Sequence, residues 1–387
     1  MAQSYTAAIV GCGSIGHAHA EGYGLVDEVE LVAVVDPLEA PRQQYMEEYD
    51  LQYGHETIEE MLEEVQPDIV SVCTWHLLHP APTIAAARAG VKGIICEKPM
   101  AIGMAAADSM IEACAASGTK LAISHQRRFT PGWEKARALV EEKAIGEVVR
   151  VDNKVAEGLT NWGTHTIDGS RFVLGDPQAE WVMGAVERYT DRHERNTPIE
   201  DACLGLVQFA DGVQLFIQSD LMREGASAGT FWLRGSEGMM EVSEAQVRLF
   251  NATSGGWQDV DLGMAPEEIS GIGGNTNAAQ VRELVTWIEG TSEHRGAGDK
   301  ARATVEIMMA LYESARQHRV VRLPLEEKQY PLGLMIDEGK LPLEQEGAYD
   351  IRSFLQRGGI DEAKYAEMRS QGMNHHQIMQ ILNPREK

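Results

Sequence analysis

Three glycines, Gly11, Gly13 and Gly16, follow a short apolar run and precede a helix-like stretch in AAIVGCGSIGHAHAEGY (7–23). Glycine triads alone are weak signals, so the neighbours decide. A strand-like run comes before, a helix from Ile15 comes after, and a second apolar run (ELVAVVD, 30–36) ends in Asp36, twenty residues past Gly16. That context is the one a dinucleotide requires. Gly11 permits the tight turn, Gly13 lets a pyrophosphate approach the backbone, and Gly16 lets the helix pack on the sheet. The free amides of the helix start, at Ser14 and Ile15, then face the phosphates with the positive end of the dipole. Asp36 is suited to accept hydrogen bonds from a ribose diol and to repel a 2′-phosphate, which favours NAD over NADP. Arg42 is the residue that would work against that preference.

A second chemical group lies in CEKPM (96–100), at the end of another apolar run. In an open parallel sheet ligands bind at the carboxyl ends of the strands, which puts Lys98 on the nicotinamide side. Pro99 keeps Lys98 out of helical geometry. A lysine beside a cationic ring has a lowered pKa and can share protons with a hydroxyl. CTWHLLH (73–79) follows another strand end, so Thr74, Trp75, His76 and His79 are expected near the cofactor, with Glu97, Lys98 and Gln126 completing that set.

These groups need a scaffold. Residues 1–125 alternate apolar runs (6–13, 30–36, 67–74, 93–99, 120–125) with helix-like stretches at 15–26, 40–49, 57–65, 81–89 and 104–117. Such alternation predicts βαβ units and a parallel sheet with both faces covered. Beyond about residue 148 apolar and polar residues alternate between turn signals, with a hairpin cue at Asp211–Gly212. This half reads as an antiparallel sheet, followed by helices at 278–289 and 300–318 and a strand at 320–325. Residues 326–387 have little periodicity and suggest two short helices broken at Gly372.

A chain of 387 residues exceeds one ordinary core, so two domains are expected. The formal net charge of −25 argues against nucleic acid and anionic lipid as partners. No apolar run approaches the roughly 20 residues of a membrane span, and the N-terminus has no basic region of a signal peptide. Five cysteines without a C-x-x-C pattern fit a reducing, cytoplasmic setting. The adjacent His375 and His376 point in different directions on a helix, so no metal is expected.

Together GCGSIG, Glu97–Lys98–Pro99, HQRRFTP (125–131), AIGEVVRV (144–151), NWGTHTIDGSRFVLGD (161–176) and YESARQHRVVRLPL (312–325) resemble the Gfo/Idh/MocA oxidoreductases, over about residues 5–325. The resemblance implies an α/β fold: an N-terminal Rossmann parallel sheet (1–125) and a C-terminal α/β domain with a large, mostly antiparallel sheet (126–325). Residues 326–387 are then an extension. They are expected to reach over a neighbouring subunit of a homo-oligomer (dimer or tetramer), docking Phe354, Leu355, Tyr365, Met368, Ile378 and Leu382. A self-packed or disordered extension is the alternative.

The family's usual reaction is hydride transfer between a sugar or polyol hydroxyl carbon and a nicotinamide. In inositol dehydrogenase-like members a lysine, an aspartate and a histidine carry it. By resemblance these map to Lys98, Asn161 and His165, so a neutral amide stands where the family has an acid. An asparagine orients a neighbouring histidine but adds no charge to stabilise its imidazolium. Three outcomes stay open, His165 as base, Lys98 as base, or neither; Asn161 is alternatively a substrate hydrogen-bonder, and Glu157 a neighbouring source of the missing carboxylate. The expected substrate set is Lys98, Arg127, Arg128, Asn161 and His165, with one arginine near substrate and the other structural. Asp168 also matches a common family residue, where a structural role is implied. Loops 192–200 and 263–277 are expected to line the pocket. The reading is thus an NAD-dependent oxidoreductase acting on a sugar, glycoside or cyclic polyol. Its alternatives are sugar-ring oxidation as a first step of glycoside cleavage, or a non-catalytic NAD-binding regulator.

Overall fold

The computed structural model describes residues 4–265, 268–269 and 271–384. Among them, β1 (Tyr5–Val10), β2 (Val29–Val35), β3 (Tyr53–His55), β4 (Ile69–Val72), β5 (Gly93–Glu97) and β6 (Lys120–Ser124) form a six-stranded sheet in the order β3-β2-β1-β4-β5-β6. All its pairings are parallel. The helices between are α1 (Ser14–Tyr23), α2 (Glu39–Glu48), α3 (Ile58–Glu64), α4 (Pro80–Arg88) and α5 (Met104–Ser117). Every residue of β4 and β5 is buried, which explains their mostly apolar sequence, with only Ser71 and Glu97 polar. The short edge strand β3 carries no apolar run and is not legible in the sequence.

The chain then passes through α6 (Pro131–Glu141), β7 (Val148–Val155), α7 (Thr164–Val173) and β8 (Ala179–Glu187). Next come β9 (Thr190–Glu194), β10 (Thr197–Pro198), β11 (Ala202–Phe209), β12 (Gln214–Ser219), β13 (Phe231–Gly235), β14 (Gly238–Val242), β15 (Val247–Asn251) and β16 (Gln258–Asp259). Two long helices, α8 (Gly274–Ile288) and α9 (Gly298–Gln317), precede β17 (Val321–Arg322). The large sheet has the order β16-β15-β14-β13-β7-β12-β11-β8-β17. It is antiparallel except for the β7–β12 pair. The turn at Asp211–Gly212 joins β11 to β12 as the sequence predicts, with Gly212 at φ +94°. Helix α9 lies on one face, close enough that a methyl group at Gly184 would stand 2.5 Å from the Leu311 carbonyl.

One helix departs from the expected division of the chain. Helix α8 follows the second sheet in sequence yet packs on the first. Its Ala278, Val281, Leu284 and Val285 join Tyr5, Ile9, Tyr23 and Val34 in one buried cluster, and α1 approaches it through Gly22. The first sheet leaves an apolar face that α1 and α2 do not cover, and the stripe of α8 closes it.

The C-terminal extension is ordered against its own chain. Helix α10 (Pro331–Asp337) is followed by β18 (Gln345–Asp350), which pairs with β9, and by α11 (Glu362–Ser370) and α12 (His375–Leu382). The break between the last two carries Gly372 at φ +85°. Phe354, Tyr365, Ile378 and Met379 form a small core of their own, with Leu355, Met368 and Leu382 packed against it. The apolar side chains expected to dock on a partner therefore bury one another. The surface of this small core is tied to α2: Arg369 pairs with Glu48 at 2.6 Å and Arg357 donates to Gln44 at 2.5 Å.

Candidate active site

The carboxyl ends of β1, β2, β4, β5 and β6 open on one edge, and the residues expected near the cofactor lie there. Gly11 is at φ +103°, and a methyl group on it would stand 2.9 Å from the Cys73 backbone. One on Gly16 would stand 2.6 Å from the Gly11 carbonyl. One on Gly13 meets nothing within 4 Å. The first and third glycines are thus required by the protein's own packing, whereas the second faces open space. No side chain caps the start of α1 at Gly13, so the first-turn amides at Ser14 and Ile15 are available to an anion. Asp36 closes β2, its two oxygens each accepting one backbone amide at 2.9 Å, from Cys12 and Leu38. A carboxylate retains further acceptor positions for hydroxyls. Arg42 donates to the Asp36 carbonyl at 2.5 Å rather than to its carboxylate. The hydroxyl of Thr74, buried at the end of β4 before the half-buried Trp75, has no protein partner. These residues fit a dinucleotide.

Lys98 leaves β5 at a cis Lys98–Pro99 bond. Its backbone amide donates to Glu97 at 3.1 Å. Burial, then the positive Arg195 nearby, bring its pKa down from 10.5 to about 7, against the opposing pull of Glu97 and Glu194. His165 lies in the first turn of α7, a helix buried along its whole length. Its imidazole is held well below its usual range by burial, and then by Arg127, Lys98, His125 and Arg195. Its Nδ1 is buried without a hydrogen-bond partner. The site thus holds a neutral imidazole and an amine that titrates near neutrality, two groups able to exchange a proton with a hydroxyl.

Before α7 the chain makes a π-helical turn, Leu159–Gly163, that carries Asn161. The buried Glu200 carboxylate accepts the Leu159 amide at 2.6 Å and the Tyr312 hydroxyl at 2.7 Å, pinning the start of that turn. Asn161 Nδ2 is 3.5 Å from Glu157 Oε2, and Glu157 is in turn paired with Arg352 of the extension. Glu157 therefore contacts the amide, and no Glu157–His165 contact accompanies it. His125 stands edge-on to His165, ring centroids 6.4 Å apart, and lies 3.5 Å from Asp168.

Several expected ligands have other work. His79 has both ring nitrogens engaged, by the Pro99 and Thr74 carbonyls at 2.9 and 3.0 Å, which braces the turn after β4 and leaves no ring nitrogen for a cofactor. His76 bonds Thr197 through Nε2 at 2.6 Å, while its buried Nδ1, 3.3 Å from Glu194, has no hydrogen-bond partner. Glu97 is buried against His19 at 3.2 Å. Burial works against its charge, but His19, Lys98 and Ser124 together outweigh it and hold the carboxyl at about 2. Gln126 accepts from Thr276 at 3.1 Å, linking α8 to the turn after β6. Arg128 is fully buried between Asp168 and Asp176 and also donates to the Arg295 carbonyl. That set of partners makes it structural together with Asp168, and removes it from the substrate set. Arg127, paired with Glu244 at 2.6 Å, stays partly open.

The residue-level reading missed Glu194, Arg195 and Arg352. The first two sit in loop 192–200, which does approach Lys98. Arg352 belongs to the extension, where no motif marks it. Residues 266, 267 and 270 of loop 263–277 lie outside the described residues.

Residues 5–125 match an oxidoreductase family's NAD-binding Rossmann fold, and residues 152–241 match the GFO/IDH/MocA C-terminal domain. A myo-inositol 2-dehydrogenase of Thermotoga maritima is 28% identical over 186 residues, 44% of this chain and 55% of that enzyme. A D-glucoside 3-dehydrogenase of Escherichia coli is 26% identical over 242 residues, 55% of this chain and 69% of its own. The aligned part thus spans little more than half of the first relative. Among solved structures, a levoglucosan dehydrogenase in complex with NADH and levoglucosan superposes with a TM-score of 0.73 at 20% identity, covering 84% of this chain and all of that one. With the parallel sheet, the glycine turn and the mixed second sheet in place, the two matched domains make this chain a member of the Gfo/Idh/MocA oxidoreductase family, its residues 5–125 the family's NAD-binding Rossmann fold.

Proposed function

We propose that the chain is an NAD-dependent dehydrogenase that oxidises a secondary hydroxyl carbon of a sugar, glycoside or cyclic polyol. The observation that carries this reading is the pairing, at one edge of the parallel sheet, of an amine lowered to about 7 with a buried neutral imidazole. Gly11, Gly13, Gly16 and the first-turn amides would hold the pyrophosphate, and Asp36 the ribose diol. Asp36 favours NAD over NADP, and the engagement of Arg42 with a carbonyl rather than a free position supports that choice. When bound there, a nicotinamide supplies the two-electron acceptor for the substrate's hydride. His165 takes the hydroxyl proton, and Lys98 Nζ hydrogen-bonds the same oxygen and carries the charge change to solvent. Asn161 orients the substrate through its amide, steadied by Glu157. Arg127 keeps His165 neutral and faces the substrate's polar groups.

The glycoside variant, ring oxidation that prepares a glycosidic bond for later cleavage, draws support from the E. coli relative. A homo-oligomeric, cytoplasmic enzyme agrees with two features. Met183 and Leu206 stand opposite each other on the sheet face away from α9, with Phe216 beside them. No helix among the described residues is long and apolar enough to cross a membrane.

The test is to incubate the protein with NAD and a panel of inositols, aldoses and glycosides while following reduced-nicotinamide absorbance. Turnover of at least one substrate is expected, with kcat lowered by about 10²–10⁴ in Lys98→Ala. Tight NAD binding with no turnover across the panel would overturn the enzyme reading in favour of a regulator.

A further inference from the structure

We propose that the C-terminal extension and the β9–β10 hairpin form a cleft for the second ring of a glycoside, beside the place where the first ring meets Lys98 and His165. The inference rests on the reading above and names the substrate class within it: disaccharide-sized, uncharged glycosides.

The cleft has a volume of about 990 Å³, the upper end of the roughly 300–1,000 Å³ typical of small-molecule sites, and more than one six-carbon ring fills. One wall is the hairpin with Arg192, His193 and Asn196; the other is built by the extension, including Tyr349, Asp350 and Gln356. The walls are joined by backbone pairing, Tyr349 opposite Arg192 and Asp350 opposite His193, and by the Asn196 amide donating to Asp350 at 2.6 Å. A wall fixed in this way needs little ordering when a ligand enters.

Two links connect the cleft to the catalytic pair. Glu157 lines its inner end and lies 3.5 Å from Asn161, one helical turn from His165. Asn196 at its rim is next to Arg195, the cation that acts on both Lys98 and His165. The Glu157 backbone is left-handed, φ +57°, an uncommon state for a non-glycine residue that concentrates at functional sites. Asp220 fixes that turn by accepting the Glu157 and Gly158 amides at 3.1 and 2.8 Å, and it also holds Arg192 and Arg223 of the cleft at 3.3 and 3.4 Å.

The lining identifies the ligand chemistry. The strong charges about the cleft balance, Arg192, Arg223 and Arg352 against Asp220, Glu157 and Asp350: Arg192 and Arg223 share Asp220, Glu157 pairs with Arg352, and Asp350 accepts backbone amides. A phosphate or carboxylate on the second group would find no surplus cation. The other polar side chains of the lining are the Ser353 hydroxyl, the Asn196, Gln356 and Asn383 amides and the His193 imidazole, with Tyr349 45% exposed. Hydroxyl-rich surface with one flat apolar side matches a neutral sugar ring.

The test titrates the full-length protein, with NADH present, calorimetrically with glucose, maltose and cellobiose, and follows NAD reduction by the same sugars. At least one disaccharide should bind about tenfold or more tighter than glucose, as one or two added hydrogen bonds predict. Tyr349→Ala and Gln356→Ala, on separate segments of the extension, should each cut that preference at least threefold, glucose affinity serving as the internal reference. Equal affinity for glucose and both disaccharides, or a preference that survives both substitutions, overturns the cleft. Glucose oxidised without disaccharide preference leaves the dehydrogenase reading standing and removes the cleft. A preferred disaccharide that is bound and never oxidised does the reverse.

Discussion

The two sides of the candidate active site are built on different principles. The cofactor side is local: Gly11, Gly13, Gly16 and Asp36 belong to one β1–α1–β2 unit, and their geometry follows from strand, turn and helix alone. The substrate side is assembled across the whole chain. Lys98 comes from the end of β5, His165 from α7, Arg195 from a hairpin and Arg352 from the extension, and Glu200 holds the π-helical turn from the loop before β11. A local site has its geometry set by backbone, whereas an assembled site has its chemistry set by which charges and buried groups meet. The first is therefore rigid and generic, and the second is where specificity is adjusted.

The largest expected effect separates these principles on the cofactor side. Gly13 sits at φ −95°, which alanine adopts freely, and a methyl group there touches nothing in the protein. Gly13→Ala should leave the thermal midpoint within about 1 °C, since surface-like substitutions shift stability by under about 0.5 kcal/mol. NAD affinity measured by calorimetry should nevertheless fall by about tenfold or more, because the methyl occupies space needed by the pyrophosphate. Gly16→Ala should lose both, as its methyl would meet the Gly11 carbonyl and the Tyr45 hydroxyl, at 2.6 and 2.7 Å. Equal loss of stability in the two variants would show that Gly13 serves packing and would break the distinction between the two sides.

The same contrast explains what could be read from the sequence. The βαβ rhythm, the glycine turn and Asp36 were legible because their signals lie within forty residues. Lys98 was legible through its proline, and His165 and Asn161 through family resemblance. The surroundings of the histidines after β4 were not legible, for a physical reason. A strand-end position says that a side chain can reach the crevice, but the partners of His76 come from Thr197 and Glu194, over a hundred residues away. Arg128 was ambiguous in the same way, since its two carboxylate partners are 40 and 48 residues distant. The placement of α8 on the first sheet, and the extension's self-packed core, depend on which apolar faces the rest of the fold leaves uncovered, and no local pattern reports that.

A smaller effect probes the assembled side. Arg195 acts on Lys98 as a like charge that lowers its pKa. In alcohol oxidation the proton must leave, so the rate should rise with pH through a limb near 7 as Lys98 becomes neutral. Removing the neighbouring charge in Arg195→Gln raises the Lys98 pKa, so the limb should move to higher pH, by up to about one unit. The variant should then be slower at pH 7 and recover by about pH 9. A limb that stays in place would mean that the ammonium of Lys98 is tuned by burial alone, and that the hairpin contributes shape rather than charge.

The smallest effect concerns how firmly the extension belongs to its own chain. The Arg369–Glu48 pair is partly exposed, with side-chain exposures of 23% and 31%. Such pairs contribute about 0.2–1 kcal/mol, which for a protein of this size is a fall of roughly 0.2–1 °C in thermal midpoint. Arg369→Ala and Glu48→Ala should each show a shift of that order. The double substitution should cost less than the sum of the two, because both singles remove one interaction. That coupling should be unchanged across a hundredfold dilution if the contact is within one chain. A coupling that disappears on dilution would instead assign the extension to a neighbouring subunit. The cleft wall it forms would then be supplied in trans, so that glycoside preference itself would depend on protein concentration.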